Sequence, residues 1–155
     1  MTAEKEKQSK LSDGEKVHFV IDYWDGPRVG VADHCGTPHY FRALFDEERD
    51  EWSDVFTLWP LDPDIYQLLI ERIEIWQRWQ EAYESGATSL DSHPALPEDT
   101  NRSNELAEII ERKTDFDQNT AIRLKGSFEA DDRTKLTSHR KWLVRWSKYI
   151  EPTQV

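Results

Sequence analysis

At 155 residues the chain has the length of one domain, long enough to bury a core without disulfide staples, and its single cysteine, Cys35, admits no internal disulfide. A net charge of −11 opposes the phosphates of nucleic acids and the surface of anionic membranes. Hydrophobic residues are only 37% of the chain, but seven Trp, six Phe and five Tyr bring enough apolar area to exclude a disordered chain and predict an aromatic-rich core.

Residues 1–16 mix Lys and Glu without periodicity, which predicts a mobile tail and neither a signal nor a transit peptide. No apolar run approaches the roughly 18–20 residues that span a bilayer, so a cytoplasmic protein is expected. From His18 to Trp24 β-branched and aromatic residues predict a strand. Asp25-Gly26-Pro27 is turn chemistry, and Val29 and Val31 alternate in a second strand. A turn over Asp33 to Pro38 leads to a third strand from His39 to Phe45. Asp46 to Asp54 holds six carboxylates and reads as a solvated loop or short surface helix, followed by a fourth strand from Val55 to Trp59.

The strongest helix signal comes next. Asp62 is a good N-cap, Pro63 suits the first helical position, and Gly86 suits the C-terminal end. Ile65, Leu68, Leu69, Ile73, Trp76, Trp79 and Tyr83 gather on one face. Thr88 to Asn101, with Pro94 and Pro97, reads as a loop, and Ser103 to Lys113 as a shorter helix with Leu106, Ile109 and Ile110 inward. Strands around Ile122 to Phe128 and Trp142 to Trp146 complete the chain. The order of elements predicts an α+β fold over residues 17–150: a two-layer, mostly antiparallel sheet of about six strands, covered on one face by two helices.

The first hairpin concentrates chemistry-bearing residues: Asp22, Trp24, Asp25, Arg28 and Asp33. One reading brings Asp22 and Asp33 together across the hairpin with Arg28 between them; the other makes them turn-formers and a cross-strand ion pair. The stretch Asp22-Tyr23-Trp24-Asp25-Gly26-Pro27-Arg28-Val29-Gly30-Val31-Ala32-Asp33 resembles small bacterial proteins of uncharacterised activity that carry an Asp-Tyr-x-Asp-Gly-Pro-Arg-x-Gly-x-Ala-Asp hairpin. The Leu-Asp-Pro-Asp start of the long helix and the pair Trp76 and Trp79 fit the same pattern. The resemblance implies a compact domain over most of the folded chain and no particular activity.

His34, Cys35 and His39 offer three residue types that zinc accepts, but the spacing matches no standard signature and a second ligand pair is missing, so no metal and no cofactor is expected. Arg72 breaks the apolar face of the long helix; it is either an anion-recognising residue or a stem laid over Leu69 and Trp76 with its head in water. Arg133 to Lys148 is basic, with Trp142 and Trp146 interleaved, a pattern that suits single-stranded nucleic acid but sits in an acidic chain. Facing the acidic stretch Asp46–Asp54, in the same molecule or a partner, is the simpler role. Four of the tryptophans have core spacing, whereas Trp24 and Trp52 are expected to be exposed, as suits an interface.

No phosphate loop, nucleophile elbow, zinc-protease helix or dinucleotide fingerprint occurs. The leading expectation is a non-catalytic protein-interaction domain of accessory or immunity type with a basic protein partner. The alternatives are a small metal-dependent or acid–base enzyme using Asp22, Asp33, His34 and His39, and an anion or nucleic-acid binder using Arg72 or the Arg133–Lys148 stretch.

Overall fold

A computed structural model describes residues 14–130 and 141–150. It contains six strands: β1 (Glu15–Tyr23), β2 (Pro27–His34), β3 (Thr37–Asp46), β4 (Glu51–Pro60), β5 (Ile122–Ala130) and β6 (Trp142–Lys148). Two helices, α1 (Pro63–Glu84) and α2 (Thr100–Lys113), lie between β4 and β5 in sequence, with short 3₁₀ turns at Leu90–Ser92, Pro97–Asp99 and Gln118–Thr120. The chain forms two compact units, one holding the six strands and the other Leu61–Asp117.

The strands follow one another in an antiparallel meander and close into a barrel, because β6 returns to pair with β1 at Glu15↔Val144 and Lys16↔Leu143. This corrects the expected two-layer α+β fold, in which two helices cover one face of an open sheet: the sheet closes on itself, and the two helices belong to a compact unit of their own. Closure has a physical cause. It pairs strands that would otherwise be edges, and bulges in the β1–β2 and β3–β4 ladders supply the bending a barrel needs.

Inside, Val17, Ala32, Phe41, Ala43, Phe56, Leu58 and Val144 form the core, with Val20, Trp52, Leu124, Phe128, Trp142 and Trp146 packed against it. Phe41, Phe56, Phe128 and Trp146 meet one another with ring centroids 5.2–6.1 Å apart, mostly edge to face. Gly126 makes room for this cluster, since a Cβ there would lie 2.6 Å from the Trp146 ring and 3.0 Å from Phe56.

Asp46–Asp54 is neither a loop nor a helix. β3 runs to Asp46 and β4 starts at Glu51, so only four residues turn. The Asp46 carboxylate accepts the N–H groups of Glu48 and Arg49, Asp50 takes a positive φ of 53°, and the Ser53 hydroxyl donates to the Leu44 carbonyl.

In the helical unit, Asp62 caps α1 by accepting from Asp64 N at 3.3 Å, with Pro63 at the first position. Leu69, Ile75 and Trp79 are its buried residues. Trp76 and Tyr83, placed on that face by the pattern, are 39% and 42% exposed. Trp79 donates to Ser92 Oγ at 2.9 Å and stacks on Tyr83. Ser103, Leu106 and Ile110 are the buried stripe of α2. Arg102 joins the two helices by a two-pronged bond to Glu71 at 2.7 and 3.0 Å. No helix among the described residues is long and apolar enough to cross a membrane.

Candidate functional site

The meander puts the β1–β2 turn, the β3–β4 turn, the end of β5 and the start of β6 at one end of the barrel. Aromatic side chains collect there. At the tip of the first hairpin Asp25 and Gly26 both take positive φ, 53° and 127°, and Trp24 N donates to Gly26 O at 2.9 Å. Arg28 holds this turn from below, with Nε donating to Trp24 O at 2.7 Å and Nη2 to Asp25 O at 2.8 Å. Its guanidinium also lies 5.3 Å from the centroid of Trp52. Trp52 meets Phe45 edge-on at 5.1 Å, and Tyr23 lies 6.0 Å from Trp142.

Ring contacts thus join Trp142 to Tyr23 and Trp52 to Phe45, and Arg28 links Trp52 to the backbone of the Trp24 turn. Trp24 is 70% exposed, Tyr23 55% and Phe45 44%. Trp52, expected to be exposed, is half-buried against the core. Exposed carboxylates lie on the same two hairpins: Asp22 and Asp25 on the first, and Glu47, Glu48, Asp50, Glu51 and Asp54 on the second. The Arg49 guanidinium sits 3.9 Å from both Asp46 and Glu51. Sequence patterning missed Tyr23 and Phe45. The signal was present in the aromatic Tyr23 next to Trp24, and in Phe45 facing Trp52 across a four-residue turn.

Asp33 does not join Asp22. Asp22 pairs opposite Val29 near the hairpin tip, while Asp33 sits opposite Pro38 at the far end of β2. There Asp33 Oδ1 bonds His18 Nε2 at 2.7 Å, and the Asp33 carbonyl accepts from Trp146 Nε1 at 2.9 Å. Glu15 accepts from Gly36 N at 2.9 Å, and its other oxygen lies 3.9 Å from His34 Nδ1. Cys35 Sγ is 3.8 Å from His34 Nε2, and the His34 and His39 rings meet edge to face at 5.4 Å. Burial, then the neighbouring His39, hold the His34 imidazole below its usual pKa, against the opposing pull of Glu15. His39 Nδ1 faces the Thr37 carbonyl at 2.7 Å, so that ring is committed to its own turn.

These residues make a polar lock at the second barrel end. Among the described residues no three of His, Cys, Asp and Glu converge in a geometry that would hold a metal. The set Asp22, Asp33, His34 and His39 does not assemble, because Asp22 is at the opposite end of the barrel from the other three. Arg72 is half-buried on α1, among Leu69, Ile75 and Trp79 by helical spacing. Of the basic stretch, Arg133, Lys135, His139 and Arg140 lie outside the described residues, and Arg145 lies 3.5 Å from Glu129. Gln118, Ala121, Arg123 and Tyr149 line an open polar depression, with Arg123 as its cation among the described residues.

Comparisons with family models, curated protein sequences and solved structures return no match, so the geometry of the barrel's two ends carries the functional argument by itself.

Proposed function

We propose that the protein is a non-catalytic interaction domain, of accessory type, whose aromatic barrel end binds a basic polypeptide. The observation that carries this reading is Trp24, 70% exposed at a barrel end where Tyr23 and Phe45 are also exposed and where both hairpins carry exposed carboxylates. Tryptophan is the residue type most enriched at the energetic centre of interfaces, and an exposed apolar cluster with a charged rim is the usual form of such a surface. The carboxylates steer and select a basic partner, and the steering weakens as salt screens it.

The test is calorimetric titration of the full chain with Lys/Arg-rich polypeptides. Binding is expected at about 20 mM salt and should weaken strongly by about 200 mM. Trp24→Ala should weaken it by about tenfold or more, as for a central interface residue. Absence of binding at low salt, or equal affinity of the Trp24→Ala variant, would overturn the reading.

A further inference from the structure

Beside the exposed aromatics runs the outer edge of β1. β1 pairs with β2 from Val17↔Ala32 to Tyr23↔Pro27. On its other side, among the described residues, it pairs with β6 at Glu15↔Val144 and Lys16↔Leu143. Among the described residues, Val20 to Tyr23 therefore have no ladder partner on the β6 side. An unpaired edge is a ready template for another extended chain.

This edge is also unusual in its side chains. A regular strand hides every second residue, but Ile21, Asp22, Tyr23 and Trp24 are exposed one after another. The register shifts between Val20 and Asp22, and again between Asp22 and Tyr23, account for it by re-aiming the side chains. Ile21, Tyr23 and Trp24 supply apolar contact, while Asp22 places a carboxylate in the middle. Against a second copy of this edge Asp22 would meet its own like charge, which disfavours self-pairing. Against a Lys or Arg it would gain a cross-strand ion pair.

We infer that a Lys- or Arg-bearing segment of the partner adds to the barrel as an extended strand along Val20–Tyr23. Its backbone completes the open ladder, its basic side chains face Asp22 and the neighbouring acids, and its apolar side chains lie on Ile21, Tyr23 and Trp24. This names the binding mode of the surface proposed above and rests on that reading.

The experiment uses the full chain and two synthetic peptides of about ten residues, the length of a long strand. One is an alternating Lys-Val peptide. The other has the same sequence with every amide N-methylated, so its charge is kept and its hydrogen-bond donors are lost. The first should bind and slow hydrogen exchange at those amides of Val20–Tyr23 that point away from β2, and the second should bind at least about tenfold more weakly. Asp22→Lys should reduce affinity for Lys-Val and raise it for an alternating Glu-Val peptide. Equal binding of the two basic peptides, or protection appearing elsewhere, overturns strand addition and leaves the interaction reading standing. So does slow exchange in the free protein at the amides of Val20–Tyr23 that point away from β2, which would mean that the chain itself covers the edge. No binding of either basic peptide at low salt overturns both.

Discussion

Gly30 is the position at which one added methyl group should do most damage to the barrel. A Cβ there would lie 2.4 Å from the Phe19 carbonyl oxygen and 2.8 and 2.9 Å from two carbons of the Phe41 ring. Neither neighbour has room to yield. Phe41 is fully buried and held between Phe56, Phe128 and Trp146, and the Phe19 carbonyl belongs to the β1 backbone. Relief therefore requires β1 to move off β2 around Phe19↔Val31 and Val20↔Gly30. Overpacking costs about 1–3 kcal/mol, and a weakened ladder bond adds about 1 kcal/mol, so Gly30→Ala should cost about 3 kcal/mol. At about 2–4 °C per kcal/mol for a protein of this size, Tm should fall by about 6–12 °C. Gly36→Ala is the control. It has φ +78° with nothing within 4 Å of the added Cβ. Only the left-handed backbone is strained there, at about 1 kcal/mol, or about 2–4 °C. Thermal unfolding followed by near-ultraviolet circular dichroism reads both. A Gly30→Ala protein that melts with the wild type, or no lower than Gly36→Ala, would refute the close approach of β1 and β2.

Two further predictions concern the polar end and the helical unit. Burial, then His39, lower the His34 pKa, so the unfolded chain takes up the proton more readily below the usual imidazole value of about 6.5. Its contribution is full above that value and is lost as pH falls through the window; His34→Asn should flatten the fall in the urea midpoint between about pH 7 and pH 5, and an unchanged slope would refute it. Leu106 is fully buried on α2, so Leu106→Ala should cost about 2–5 kcal/mol, with far-ultraviolet helical signal lost at lower urea. An unchanged midpoint would show that the α2 stripe is not packed as described.

What the sequence displayed and what it hid follow from the range of the interactions involved. Turn and cap chemistry is local, so the first hairpin, the Asp62-Pro63 helix start and the strands over Val55–Trp59 and Ile122–Phe128 were legible. Closure was not. It depends on Glu15 meeting Val144 and Lys16 meeting Leu143, which no local pattern encodes. The carboxylates of Asp46–Asp54 hid a hairpin because charge dominates that window, whereas the pairing of Phe45 with Trp52 sets the strand ends. On α1 helical spacing puts Trp76 on the apolar face, but the structure buries Ile75, one position back, and leaves Trp76 at 39% exposure. At the candidate site, Trp24 and Arg28 were visible as unusual residues. That Arg28 clamps the turn by bonding the Trp24 and Asp25 carbonyls depends on how the hairpin folds back and is not legible in the local pattern.

Trp146 shows how one aromatic can serve both the core and the polar end. Its indole packs against Phe41, Phe56 and Phe128, and its Nε1 donates to the Asp33 carbonyl at 2.9 Å. β6 and β2 are not neighbours in the barrel, so this bond spans the β1 strand between them. It also fixes the backbone of the residue whose carboxylate bonds His18. Trp146→Phe keeps an aromatic ring but removes the donor. Leaving a part-buried carbonyl without its partner costs about 1–3 kcal/mol, and the smaller ring adds to that. A stability loss alone would not separate this role from plain packing. Val144, fully buried on the same strand, supplies the comparison. Val144→Ala should lower Tm while leaving the His18 imidazole resonances near their wild-type positions. Trp146→Phe should lower Tm and also shift those resonances, because Asp33 loses the bond that holds its backbone. If the His18 resonances of Trp146→Phe overlay those of the wild type, the bond to Asp33 does not couple the barrel core to its polar end.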